Sequence, residues 1–257
     1  MPEQPDTRLV TVADGVARIS WSPELTSRGW QAAVDVVRRD VASALAEHGR
    51  VEAKVPADDP DAQRIATWSG LRREGVERGL AGDLVVYARL VDDVPVHEPG
   101  GFRALLNSFL PRKRAISQML LRDDSPDPRV LMCQLTYKSD WDLPGGVVEV
   151  GESPQVAVAR EVEEELCLRI PAGRLLLTDW LPPWAGWDDA LCLVFDGGVH
   201  AASILADVVP QAREIRTAAF LTLAEVDERA ADFTARRVRS ALANLTGDGP
   251  AYTESGR

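Results

Sequence analysis

Glu161, Glu164 and Glu165 stand at positions i, i+3 and i+4 of a stretch with helical apolar spacing, which predicts that their carboxylates share one face. Like charges so placed destabilise a helix by roughly a few tenths of a kcal/mol per pair, and the C-terminal half of a helix disfavours anions further. A sequence that accepts this cost calls for a compensating cation. Hard oxygen donors with no cysteine or histidine among them suit Mg²⁺, with Mn²⁺ as a substitute. Arg160 lies beside them, eight residues after Glu152, and can pin a carboxylate through two parallel hydrogen bonds. A solvated acidic face would carry the same three glutamates, so the surroundings decide.

The elements that must position these groups are legible from periodicity and punctuation. Ser153 is a good N-cap with Pro154 at the first helical position, and the helix runs to about Leu166. Val156, Ala159, Val162 and Leu166 fall on one stripe and are expected to face the core. Upstream, Ala115–Leu121 and Val130–Thr136 read as paired strands around the polar turn Asp123–Pro128. A corner at Pro144–Gly146 leads to a short strand, Val147–Val150. Downstream, strands are expected near 173–180, 190–196 and 214–221, then helices near 222–229 and 232–245.

Residues 146–168 as a whole resemble the Nudix box. That pattern asks for glycine, five residues, glutamate, seven residues, Arg-Glu, an aliphatic residue, any residue, Glu-Glu, any residue, glycine and an aliphatic residue. Gly146, Glu152, Arg160, Glu161, Val162, Glu164, Glu165 and Leu168 match in register, and Trp141–Gly146 looks like the usual lead-in. The departure is Cys167 where the family has glycine, which puts the helix exit in doubt more than the metal ligands upstream. Cys167 as a nucleophile is a far weaker idea. The resemblance covers about residues 112–246 and implies an α/β (α+β) Nudix fold, a mixed β-sheet sandwiched between helices. It implies Glu161, Glu164 and Glu165 as ligands for one to three Mg²⁺ ions, the main-chain carbonyl of Gly145 as a further ligand, and Glu152–Arg160 as a supporting ion pair. The implied activity is pyrophosphohydrolysis of a nucleoside diphosphate derivative or a nucleoside triphosphate. The proton of the attacking water then needs a carboxylate, either Glu164 or a loop residue such as Glu214, whose plainer reading is a surface glutamate. Trp184 and Trp187, in the segment Trp180–Asp189, can stack a nucleobase or pack beneath a proline-rich loop, and the sequence leaves both open.

The N-terminal segment carries a second resemblance. Residues 16–21 alternate like a strand, and residues 30–47 form a helix with Ala33, Val34, Val37, Val41, Ala42 and Leu45 inward. A strand at Arg50–Val55, a helix at 60–69 and a last strand at Asp83–Leu90 follow. Arg50–Pro60, Gly70–Gly75 and Asp83–Arg89 look like the C-terminal half of a GNAT acetyltransferase. Of that family's pyrophosphate loop, Arg/Gln-x-x-Gly-x-Gly/Ala, only Gly29 fits within Glu24–Trp30. Such a loop works through backbone N–H groups at a helix start, which Trp30 obstructs. The segment therefore reads as a small, truncated α/β GNAT-like half-domain in an accessory role. The resulting division is residues 1–92 accessory, 93–111 linker with its prolines and glycines, 112–247 Nudix, and 248–257 a fraying tail.

Composition bounds the partners. Hydrophobic residues make up 45% of the 257, enough for packed cores, and the net charge of −11 disfavours a nucleic-acid partner. A small anionic nucleotide or diphosphate remains a fitting substrate, because a metal inverts the local field. Cys133, Cys167 and Cys192 show no metal-ligand or disulfide spacing and read as reduced core or near-core thiols. His48, His97 and His200 have no partner at ligand spacing and read as structural. No apolar run suits a membrane, and the polar start Met1–Asp6 is unlike a signal peptide, so a cytoplasmic protein is expected. A homodimer is left open. Two alternatives accompany the hydrolase reading: a nucleotide-sensing regulator without turnover, and a bifunctional Nudix hydrolase and acetyltransferase.

Overall fold

The computed structural model describes residues 5–247, 249 and 251–257, and the chain divides into two compact units meeting in sequence at Pro111 and Arg112. The first unit runs β1 (Thr7–Ala13), β2 (Val16–Trp21), α1 (Pro23–Ser27), α2 (Trp30–Ala44), β3 (Arg50–Pro56), α3 (Pro60–Trp68), β4 (Arg72–Glu77), β5 (Leu84–Leu90) and α4 (Pro99–Phe109). Its sheet order is β1-β2-β3-β5-β4, with β2 and β3 parallel and the other neighbours antiparallel. Ala33, Val37 and Val41 of α2 pack with Ile19, Val51, Val55, Ile65 and Tyr87.

Four elements here escaped the sequence reading: β1, the five-residue helix α1, β4 and α4. β1 exposes Leu9, Val10 and Val12, so no buried alternation marks it. β4 exposes most of its residues. Helix α4 lies where a linker was expected. Its Pro99 sits in the first turn, where a missing N–H costs nothing. Gly101 lets the helix approach the Val94 and Pro95 carbonyls, both within 2.4 Å of where a Cβ would stand, and Leu105 is fully buried.

The second unit runs β6 (Arg114–Asp123), β7 (Val130–Leu135), β8 (Trp141–Asp142), β9 (Gly145–Val147), α5 (Pro154–Leu166), β10 (Leu175–Leu181), β11 (Ala190–His200), a 3₁₀ turn (Ala202–Asp207), β12 (Ile215–Leu221), α6 (Leu223–Arg229), α7 (Asp232–Ala243) and β13 (Tyr252–Glu254). The sheet order is β12-β7-β6-β11-β10-β13, with β8 on β7 and β9 on β6. β6–β11 and β10–β13 are parallel, which makes the sheet mixed. Successive strand residues point to opposite faces, and this sorts the core. Leu120, Val130 and Met132 join Val226, Val238 and Ala241 of α6 and α7 on one face. Met119, Leu121, Leu131 and Cys133 join Val158, Val162 and Leu166 of α5 on the other. The result is an α/β unit, a mixed sheet between helices.

Several local expectations need correction. β6 and β7 pair only at Arg122 and Val130, because β9 takes the rest of that edge of β6 and β8 the facing edge of β7. The short strand lies at Gly145–Val147, one pair of glycines earlier than expected. Val156 is 60% exposed and Ala159 half-buried, while Ala157, Val158, Val162, Glu165 and Leu166 form the inward face. Cys167 is exposed rather than in the core. The tail expected to fray closes onto the sheet: β13 pairs with β10, and the buried Thr253 donates to Asp179 Oδ1 at 2.8 Å. Of that tail, residues 248 and 250 lie outside the described residues, as do the first four residues of the polar start. No helix among the described residues is long and apolar enough to cross a membrane.

Candidate active site

Helix α5 is fixed at both ends. Ser153 caps it, its Oγ accepting from Val156 N, and Ser117 Oγ of β6 donates to the Pro154 carbonyl at 2.6 Å. At the far end, Val209 N donates to Leu166 O and Gln211 N to Glu165 O, satisfying carbonyls that a helix end leaves without partners. These two bonds also place the 209–214 loop, and with it Glu214, beside α5. Cys167 takes the left-handed conformation itself, φ 57° and ψ 24°, at the position where glycine would carry no steric penalty.

Opposite α5 stand the two glycines of β9. Gly145 has φ +137°, and a Cβ there would lie 2.1 Å from the Ser117 carbonyl. A Cβ on Gly146 would lie 2.5–2.7 Å from the Glu161 carboxylate. The Glu161 carboxylate thus occupies room that only glycine leaves. Glu165, 5% exposed, accepts a 2.9 Å hydrogen bond from Gly145 N.

Arg160 organises the outer side. Its Nε and Nη2 grip both oxygens of Glu152 at 3.0 Å. Its Nη1 meets Glu161 and Glu164 at 3.0 Å each. The side chain of Glu164 is consequently turned outward and 53% exposed. The spacing predicted one convergent carboxylate face; the structure divides it. Glu161 and Glu165 turn to β9, Glu164 turns to the guanidinium, and among the described residues no three His, Cys, Asp or Glu side chains gather closely enough to hold an ion.

The electrostatics of the inward pair are those of a site short of positive charge. Burial pushes the Glu165 carboxyl up to about 8, helped by Glu161, Glu214 and Asp142 and opposed by the Gly145 hydrogen bond. Burial also raises Glu161, against the pull of Arg160 and with a push from Glu164 and Glu214. Glu214 therefore acts on both carboxyls across the loop. Glu152 is held below the ordinary carboxylate range by its bond from Arg160. The donor set contains only oxygen, and Gly146 leaves a cradle for one carboxylate, so these groups fit a hard divalent cation.

A cavity of about 290 Å³ opens beside β9, lined in part by Gly145, Gly146, Tyr137, Trp184, Trp187 and Phe233. Trp184 and Trp187 exchange backbone hydrogen bonds across a tight turn with Ala185 at φ 49° and Gly186 at φ 86°. Both rings stay more than half exposed. Trp184 meets Phe233 edge-on at 5.7 Å, and the Arg114 guanidinium lies over Trp187 at 4.9 Å. A buried polar chain that sequence reasoning missed runs along this cavity. Arg237 bonds Asp179 and Gln118, Gln118 Nε2 donates to Asp142, and Lys138 donates to Asp142 at 2.8 Å. Burial alone would raise Asp142, but Lys138 and Arg237 outweigh it and hold the carboxyl low. The signal was present in Arg237, a charge on the inward stripe of Thr234, Val238 and Ala241.

The NUDIX domain family matches residues 111–242. The chain belongs to this family. A MutT-like protein of Streptomyces ambofaciens is 32% identical over 132 residues, which are 50% of this chain and 75% of that one. The nucleoside triphosphatase NudI of Escherichia coli is 30% identical over 114 residues, 41% of this chain and 74% of the relative. Among solved structures, the MutT protein of Methanosarcina mazei Go1 is 22% identical, covers 54% of this chain and 99% of its own, and has a TM-score of 0.45. As a Nudix hydrolase the protein acts on phosphoanhydride bonds, a chemistry that uses a divalent metal ion.

Proposed function

We propose that this Nudix hydrolase cleaves the phosphoanhydride of a nucleoside triphosphate or a nucleoside diphosphate derivative with Mg²⁺, at the junction of α5 and β9. The observation that carries the reading is the pair Glu161 and Glu165, turned onto Gly145–Gly146, with no basic partner for Glu165 among the described residues and an aromatic cavity alongside. Glu161 and Glu165 would hold the cation, with Glu164 and the Gly145 carbonyl as further oxygen donors. The exposed Arg160–Glu164 contact is a weak restraint, worth at most about 1 kcal/mol, so little holds Glu164 where it is. When bound, the ion supplies charge neutralisation of the diphosphate and lowers the pKa of a coordinated water.

The chain's own groups do the rest. Arg160, gripped by Glu152, keeps Glu161 oriented without titrating. Glu214 reaches the same carboxyls from the 209–214 loop and is the loop candidate for taking the water proton, with Glu164 the candidate on the helix. The Trp184–Trp187 turn offers aromatic surface to a base at the far side of the cavity.

A panel of nucleoside triphosphates and diphosphate-linked nucleotides assayed for phosphate release with Mg²⁺ tests the reading. Glu164→Gln and Glu165→Gln should each lower turnover by about tenfold to a thousandfold, the scale of removing charge from a catalytic site. Full activity in both variants would show the site to be elsewhere.

A further inference from the structure

Strand by strand, the sheet of the second unit carries the cavity from one side to the other. β9 lies on one edge of β6 and β11 on the other, and β10 and β13 follow. One register row reads Val147, Ile116, Cys192, Asp179 and Thr253. Paired residues share a face, and Val147, Ile116 and Cys192 of this row line the 290 Å³ cavity. Strand spacings of about 4.8 Å put β13 roughly 19 Å from β9 along the sheet. Ser255, just past β13, lines the cavity as well. Gly145–Gly146 and Ser255 therefore mark its two ends.

The segment at the Ser255 end is held from both sides. Thr253 Oγ1 and Gly256 N donate to Asp179 Oδ1 at 2.8 Å each, and Asp179 Oδ2 accepts from Arg237 Nε at 2.8 Å. Ser255 N donates to the Trp180 carbonyl of β10 at 3.0 Å, and the Ser255 carbonyl accepts from Arg236 Nε of α7 at 2.9 Å. Asp179, Thr253 and Gly256 are buried. Ser255 takes φ 52°, a left-handed value that costs a non-glycine residue about 1 kcal/mol or more and persists only where its surroundings enforce it. A strand of three residues gains little by itself, so these anchors are what fix the bend beside the cavity. Residues 252–257 also lie outside the family match at 111–242, so this wall is an addition to the matched domain.

We propose that Thr253–Gly256 is a specificity-determining wall, which closes the cavity at the end away from Glu161 and Glu165 and limits how far a base can extend. This deepens the nucleotide reading above and rests on it: the phosphates lie at Gly145–Gly146, and the base lies across the row toward Ser255, with Trp184 and Phe233 among its neighbours. Asp179 is the positioning residue that holds the wall.

Adenosine 5′-triphosphate and its N6-benzyl derivative carry the same phosphates and sugar, and differ by a ring on the edge of the base farthest from them. Steady-state kcat and KM for both, with Mg²⁺ and the full chain, test the wall. The wild type should favour the plain nucleotide in kcat/KM by about 100-fold or more, since a closed cavity rejects a group it has no room for. Gly256→Ala adds a Cβ at φ +75°, 2.5 Å from the Arg236 Cβ and 2.8 Å from the Arg237 backbone nitrogen, and is accommodated only by displacing the segment. It should bring the preference to within about tenfold, with the change falling mainly on KM, because Glu161 and Glu165 sit at the other end. Thr253→Val nearly keeps the volume but loses one bond to Asp179, and should move the preference the same way by about threefold or more. It decides alone should Gly256→Ala not fold. A wild type that accepts both nucleotides equally, or a preference unchanged in the folded variants, overturns the proposal, while turnover of the plain nucleotide leaves the nucleotide reading standing. If adenosine 5′-triphosphate is not turned over at all, this proposal falls, and the nucleotide panel above decides that reading by itself.

Discussion

Replacing Glu165 by glutamine should stabilise the metal-free protein, and should do so only as the pH rises. The carboxyl goes from 4.5 in the unfolded chain to about 8 in the fold, driven first by burial and then by Glu161, Glu214 and Asp142. The folded state therefore keeps a proton that the unfolded state releases, and stability is lost as the pH climbs through this window. At 1.36 kcal/mol per pH unit the full penalty at pH 8 is roughly 4–5 kcal/mol, and water penetration and relaxation bring the expected effect to about 2 kcal/mol or somewhat more. Glutamine carries no such penalty and can still accept from Gly145 N. The variant and wild type should be close at pH 5 and diverge by about 2 kcal/mol at pH 8.5. Urea-dependent hydrogen exchange at the α5 amides, in the presence of a chelator, reads this unit directly. Saturating Mg²⁺ should remove most of the difference, since a cation that stabilises the carboxylate cancels the cost. A difference that does not change between pH 5 and pH 8.5 would refute the assignment of an unbalanced charge to this site.

Gly146→Ala should fold, because the Cβ meets only the movable end of Glu161, but Mg²⁺ affinity measured by activity titration should drop about 10- to 100-fold. Gly145→Ala should instead destabilise the unit by about 2–4 kcal/mol in urea, since its φ of +137° and the Ser117 carbonyl leave no accommodation. Cys167→Gly should raise stability by about 1 kcal/mol without changing turnover, seen as a higher urea midpoint, by relieving a left-handed cysteine. Arg160→Lys keeps the charge but loses the two-pronged hold on Glu152, and should cut the rate about tenfold or more in a steady-state assay.

Local physics makes much of this protein legible in its sequence. The cap at Ser153 with Pro154, the length of α5, and the strands and helices that follow it are written in short-range patterns, and the structure places them within a few residues. The identity of Glu152, Arg160, Glu161, Glu164 and Glu165 as one group is also local, since every member lies within two turns and a loop of the others. What periodicity could not give was orientation. A stripe centred on Val156 and one centred on Val158 differ by two positions on the helix, and only packing against Met119 and Leu121 chose the second, carrying Glu165 inward with it. Glu164 then went to Arg160 because the inward side was already taken by the fold of β9.

The remaining features required contacts between residues far apart in sequence. Arg237, Gln118, Asp142 and Asp179 come from four different elements, and nothing at any of them alone announces a buried chain lining a cavity. The same holds for β13, whose three residues gain a reason to order only when Thr253 finds Asp179. Sequence alone nominated the acidic groups proposed to grip a cation, because they lie together on one helix. Tertiary structure alone decided which of them face inward and what lines the cavity beside them, because burial and charge balance belong to the sheet as a whole.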